Sequence, residues 1–136
     1  MLKDKFHLEM LIRKKALVEL LLHIKKTMLK GLKFQSELLQ NMNNLSVNSF
    51  ESILKEESTF ELIEKDYKEI CDYAIETKNE IDRIIDLENL GQNDMRTLIE
   101  SIDGVNNSLS DLAKNFEERL NKYVLKIIVI KNLGQL

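Results

Sequence analysis

The residues with metal-binding or catalytic chemistry are few. His7 and His23 are the only histidines. Asp4 precedes His7 by three residues and Glu19 precedes His23 by four, helix-face spacings that could each supply two ligands. A di-metal bundle needs a second, matching set from other helices, and none is present. Surface or interfacial histidine is the expectation, with no metal and no cofactor. Cys71 lies between Glu69 and Asp72, neighbours that raise a thiol's pKa rather than lower it, so it reads as a small apolar filler and not a nucleophile. None of the four glycines falls in a phosphate-cradling G-x-x-x-x-G-K pattern. Glu56, Glu57, Glu61, Glu64 and Glu69 recur at helical steps and read as a solvated face. No catalytic residue is expected, and the chain is not expected to be an enzyme.

Charge is the other chemistry on offer. Residues 1–33 hold nine Lys or Arg against three acids, whereas residues 46–90 hold thirteen acids against five bases. Lys3, Lys5, Arg13, Lys14, Lys15, Lys25, Lys26, Lys30 and Lys33 could hold phosphate. However, the segment lacks stacking aromatics apart from Phe6, and the whole chain carries a net charge of -3. Attraction between the basic first helix and the acidic second is the favoured reading, with nucleic-acid binding behind it. The partners expected are therefore proteins.

The elements that would position these groups are helical. The 136 residues contain no proline and four glycines, and the 43% hydrophobic content is mostly aliphatic, a balance that suits helices and not sheets. Three runs follow, over about residues 2–44, 49–89 and 94–132. In the first, Met10, Leu17, Leu21, Ile24, Met28 and Leu38 form a seam. A second row, Leu11, Val18, Leu22, Leu29, Leu32 and Leu39, widens it enough to touch two neighbours. Gly31 should cost about 1 kcal/mol relative to alanine and permits a bend. Asn48 and Glu51 have the layout of a capping-box start, and Gly91 is placed to close the second helix in the left-handed conformation. The third run has a heptad through Met95, Leu98, Ile102, Val105, Leu109, Leu112, Phe116, Tyr123, Ile127 and Ile130, weak at Arg119. The fold expected is an all-α, elongated antiparallel bundle of three long helices with coiled-coil character, in one helical domain spanning 1–136.

From Val124 to Ile130 the last run is apolar nearly all round, more than a three-helix bundle can cover. Seven residues broken by Lys126 are far short of the roughly 20 needed to cross a bilayer. The acids Asp4 and Glu9 also interrupt any signal-peptide-like apolar run near the start, so a cytoplasmic protein without membrane insertion is expected. Two readings of the surplus stand: a thoroughly buried bundle end, or a contact surface for another chain. The candidate partner-binding residues are Tyr123, Val124, Ile127, Ile128 and Ile130. The alternative function is a structural coiled-coil protein that forms a homodimer through this segment.

A long apolar first helix is followed by a polar break. The run Phe-x-x-Ile-Leu-x-x-Glu, Phe50 to Glu57, then leads into a charged second helix. This layout, over most of the chain, resembles the FlgN-type flagellar export chaperones. The resemblance implies a small cytoplasmic helical chaperone for flagellum biogenesis and protein export, one that keeps hook-filament junction proteins soluble. The family's client region would fall on Tyr123 to Ile130, although the ending here is more aliphatic than the family pattern.

Overall fold

The computed structural model describes Leu2 to Gly134. Its elements are α1 (Leu2–Gln40), one turn of 3-10 helix (Met42–Asn44), α2 (Val47–Lys55), α3 (Glu57–Ile85) and α4 (Gln92–Gly134). No strand occurs among the described residues, and α1, α3 and α4 pack pairwise, so the fold is an all-α bundle. By compactness the chain divides into two units. The first joins Met1–His23 to Glu69–Ala113, and the second joins Ile24–Lys68 to Lys114–Leu136.

The breaks follow local hydrogen bonding. α1 stops at Gln40, short of residue 44, because the Asn41 side-chain amide donates to the Glu37 carbonyl at 2.8 Å and the chain tightens into the 3-10 turn. Ser46, not Asn48, caps α2: its hydroxyl accepts from the Ser49 backbone N–H at 3.2 Å and donates to the Ser49 hydroxyl at 3.0 Å. The expected second helix is divided at Glu56, whose backbone N–H is shared between the carbonyls of Ile53 and Leu54. No glycine or proline marks that joint. At the other end Asn89, with φ 61°, takes the left-handed conformation expected of Gly91, and no described glycine has positive φ. Gly91 instead donates its N–H to the Asp94 carboxylate at 3.3 Å, ahead of α4.

In the first unit, Phe6, Met10 and Leu17 of α1 are buried, as are Ile70, Ile81 and Ile84 of α3 and Ile102 and Leu109 of α4. Arg13 ties this unit together. Its Nε and Nη2 grip both oxygens of Asp103 at 2.7 and 3.1 Å while Nη1 reaches Glu9 at 2.6 Å. The two carboxylates hold the guanidinium pKa above its ordinary value, the Asp103 hydrogen bond being the largest cause. Lys14 donates to Asp82 at 2.6 Å, and that bond is the main cause holding the Asp82 carboxyl below its ordinary pKa, with Lys78 adding to it.

In the second unit, Thr27 meets Glu117 and Gly31 meets Leu120, so α1 and α4 run parallel there. α3 is antiparallel to α4, as the ring pairs Phe60–Tyr123 and Tyr67–Phe116 show, with centroids 5.2 and 5.9 Å apart. Gly31 is buried, and its missing side chain lets α1 approach Leu120 closely.

Candidate partner-binding surface

The seam of α4 decides which side chains remain outside. Buried positions run Ile102, Leu109, Ala113, Phe116, Leu120, Tyr123 and Ile127. The seam therefore departs from the expected heptad at one of its two positions. Asn106, Ala113 and Leu120 point inward where Val105, Leu112 and Arg119 were expected. Leu112 is exposed, and the exposed Arg119 forms an ion pair with Asp66 of α3. Arg119 is thus no fault in a core row, because the row passes through Leu120.

At the end of α4 the five candidate residues divide. Tyr123 and Ile127 belong to the core of the second unit, with Ile127 fully buried. Val124 and Ile130 are half-buried, and only Ile128 is exposed, at 37%. The surface actually offered is Leu125, Ile128, Val129 and Leu133, a set at helical steps of three, four and eight residues from the first. Leu125 and Leu133 are 62% and 84% exposed. Leu125, Val129 and Leu133 were not among the candidates. Removing the inward positions 120, 123 and 127 from the apolar run first would have left them.

Charge borders the α4 end on its inner side. Lys126 reaches the Glu56 carboxylate at 2.7 Å, fixing the α2–α3 joint against α4. An open cleft of about 310 Å³ between α3 and α4 has Ile63, Leu62 and Tyr123 in its lining, beside the Lys126–Glu56 and Arg119–Asp66 pairs. Burial pushes the Tyr123 phenol pKa up, and the nearby charges of Glu56 and Glu57 add to the shift.

The other candidates lie apart. His7 is half-buried on α1 in the first unit, at a cleft of about 220 Å³ with Leu87, Asn89 and Met95. His23 is exposed, and Cys71 is half-buried on α3 rather than enclosed. No group of three or more His, Cys, Asp or Glu among the described residues is placed to hold a metal ion. No described helix is long and apolar enough to cross a membrane.

The expected pairing of the basic first helix with the acidic second is nearly absent. Among the described residues, Lys14 alone of the nine basic residues forms an ion pair with α3, to Asp82, and Arg13 turns to α4. Lys25, Lys26, Lys30 and Lys33 are exposed and form no ion pair among the described residues. The second apolar row of α1 is likewise uncovered: Leu11, Val18, Leu22, Leu29, Leu32 and Leu39 are all exposed. The bundle uses only the first row, because α3 and α4 both pack on the side that carries Met10, Leu17, Ile24 and Met28.

No protein-family model, curated protein or solved structure matches this chain.

Proposed function

We propose that this chain is a non-enzymatic binding protein that holds an apolar segment of a partner protein on the outward strip of α4. Within that reading we propose a cytoplasmic, FlgN-type flagellar export chaperone whose client is a hook-filament junction protein. The observation that supports it is the strip Leu125, Ile128, Val129 and Leu133, four aliphatic side chains left outside a bundle whose core is already filled. Fully burying a Leu, Ile or Val side chain contributes about 1.5–3 kcal/mol, and because these four are 62%, 37%, 55% and 84% exposed, the strip offers on the order of 4–7 kcal/mol gross. Ordering the client offsets much of this.

The test is binding of a purified junction protein to the full chain and to Leu125→Asp/Val129→Asp. Both substituted residues are exposed, so helicity by circular dichroism should be unchanged while capture is lost. Undiminished capture by the folded variant would remove the strip from the interaction. Concentration-dependent mass in light scattering, abolished by the same variant and with no client bound, would assign the strip to self-association. Ile127→Asp is a different experiment: it places a carboxylate in the core and should unfold the second unit.

A further inference from the structure

We propose that the outward face of α1 from Lys25 to Leu39, within the second unit, docks an acidic amphipathic helix of a partner protein. This surface shares no residue with the α4 strip and does not depend on it. Leu29, Leu32 and Leu39 are 64%, 40% and 62% exposed, and with Ser36 they alternate at steps of three and four residues along one row. At about 100° per residue the row is narrower than the broad apolar face a helix presents to a core or a bilayer, and it has the width of a coiled-coil seam. Such a row fits one helix.

The charges around the row define that helix. Lys26, Lys30 and Lys33 follow one edge, and Lys25 stands in line with Leu32 and Leu39, seven and fourteen residues further on. All four are exposed and form no ion pair among the described residues, and Glu37 is the single acid of the segment. Their aliphatic stems can widen the apolar row while the ammonium groups stay in water, positioned for carboxylates flanking the partner's own apolar seam. A second copy of this face would set lysine against lysine. Nucleic acid would leave the leucines uncovered and finds no exposed aromatic in the row to stack on. At the far end, Leu39 and Leu54 border a notch of about 80 Å³ lined also by Met42, Ile53, Gln35 and Glu57, a seat for one apolar side chain of the partner, with the partner's carboxylates kept to the lysine edge away from Glu57.

The probe is a labelled peptide of about 20 residues, long enough to span the roughly 21 Å of the face from Lys25 to Leu39, with Leu at its seam positions and Glu at both flanks. The control carries Lys in place of Glu. Fluorescence anisotropy with the full chain should show saturable binding of the Glu peptide, weakened by salt, and none of the Lys peptide. Lys26→Glu/Lys33→Glu and Leu29→Asp should each weaken it roughly tenfold or more at unchanged helicity. Leu125→Asp/Val129→Asp should leave it intact, which separates this site from the α4 strip. Equal binding of both peptides, or binding indifferent to the α1 substitutions, would overturn the proposal. So would stronger binding, through the same lysines, to phosphatidylglycerol vesicles or a single-stranded RNA. A dimer lost on Leu29→Asp would also overturn it.

Discussion

A double-mutant cycle on Gly31 and Leu120 tests the close approach of α1 to α4 that fixes how the second unit presents its α1 face. A Cβ built on Gly31 would lie 2.9 Å from Leu120 Cδ1, 3.2 Å from Cδ2 and 3.6 Å from Cγ, against an optimal carbon separation of about 3.5–4.0 Å. Leu120 is only 3% exposed, so its methyl groups have little room to swing aside. Gly31→Ala should gain about 1 kcal/mol from helix propensity and lose about 1–3 kcal/mol to overpacking. The net effect is between none and about 2 kcal/mol of destabilisation. Leu120→Ala alone should cost about 2–5 kcal/mol. In the Leu120→Ala background the same methyl enters vacated space, and the propensity gain of about 1 kcal/mol should reappear. The predicted coupling is therefore about 1–3 kcal/mol, the overpacking contribution itself. Urea unfolding of the four proteins, followed by circular dichroism, measures it. If Gly31→Ala stabilises the native protein as much as it stabilises Leu120→Ala, the close approach is not what the glycine serves.

Gly104 is the counter-case, since a Cβ there meets nothing within 4 Å; Gly104→Ala should stabilise by about 1 kcal/mol, read as a rise in thermal midpoint of a few degrees. Asn106 occupies an inward position of the α4 seam, and its buried Oδ1 has no hydrogen-bond partner among the described residues. Asn106→Leu should raise the urea midpoint by an amount corresponding to about 1–3 kcal/mol, and a drop would mean that the amide is satisfied. The folded pKa of Asp82 lies below its ordinary value of 3.8, so the stability contributed by its bond to Lys14 is present above that value and lost as pH falls through the folded pKa. Asp82→Asn should thus lower stability at neutral pH and flatten the acid limb below about pH 4, seen in a pH series of thermal melts. The raised pKa of Tyr123 has the opposite consequence: its contribution is intact below the ordinary value of 10.0 and lost as pH rises towards the folded pKa. Tyr123→Phe should remove from the ultraviolet titration a tyrosine step that lies above the ordinary value.

The helices were legible because the absence of proline and the 3.6-residue spacing of aliphatic residues leave few alternatives. Of the first seam, Met10, Leu17, Ile24, Met28 and Leu38 are buried and Leu21 is half-buried. The breaks were less legible because they rest on short-range competition among polar groups. Four asparagines and Ser46 all offer caps between 41 and 48, and only Ser46 sits where extended backbone brings its hydroxyl to the Ser49 N–H. The joint at Glu56 carries no glycine or proline, and its backbone N–H is shared between the carbonyls of Ile53 and Leu54 while its carboxylate meets Lys126 of α4, features that the sequence pattern does not mark. The α4 register shifts because hydrophobicity favours Leu112 over its smaller neighbour Ala113, although Ala113 is the buried one and Leu112 is exposed; one heptad earlier Val105 and Asn106 are both half-buried. That shift also moved the surface, since an inward Leu120 and Ile127 leave Leu125, Val129 and Leu133 outside.

The second unit therefore offers two uncovered rows with different selectivity. On α4, Lys126 is engaged by Glu56, while the exposed Lys122 stands three residues before Leu125 and seven before Val129, so the strip Leu125, Ile128, Val129 and Leu133 carries one basic group at its near end. In the proposed reading, recognition there rests mainly on apolar area, which is tolerant of sequence. On α1 the leucine row has three lysines along one edge and Lys25 in line with it, all without ion-pair partners among the described residues, and in the proposed docking these charges would disfavour basic helices and favour acidic ones. The same charges resist pairing of α1 with itself, so an exposed leucine row can persist there without forcing self-association. Opposite charge on the acidic helices would have neutralised these lysines had it been aligned with them, but α3 meets α1 in an ion pair only through Asp82, outside this segment. The charge asymmetry along the chain thus does less to hold the helices together than to leave one face of α1 basic and uncovered.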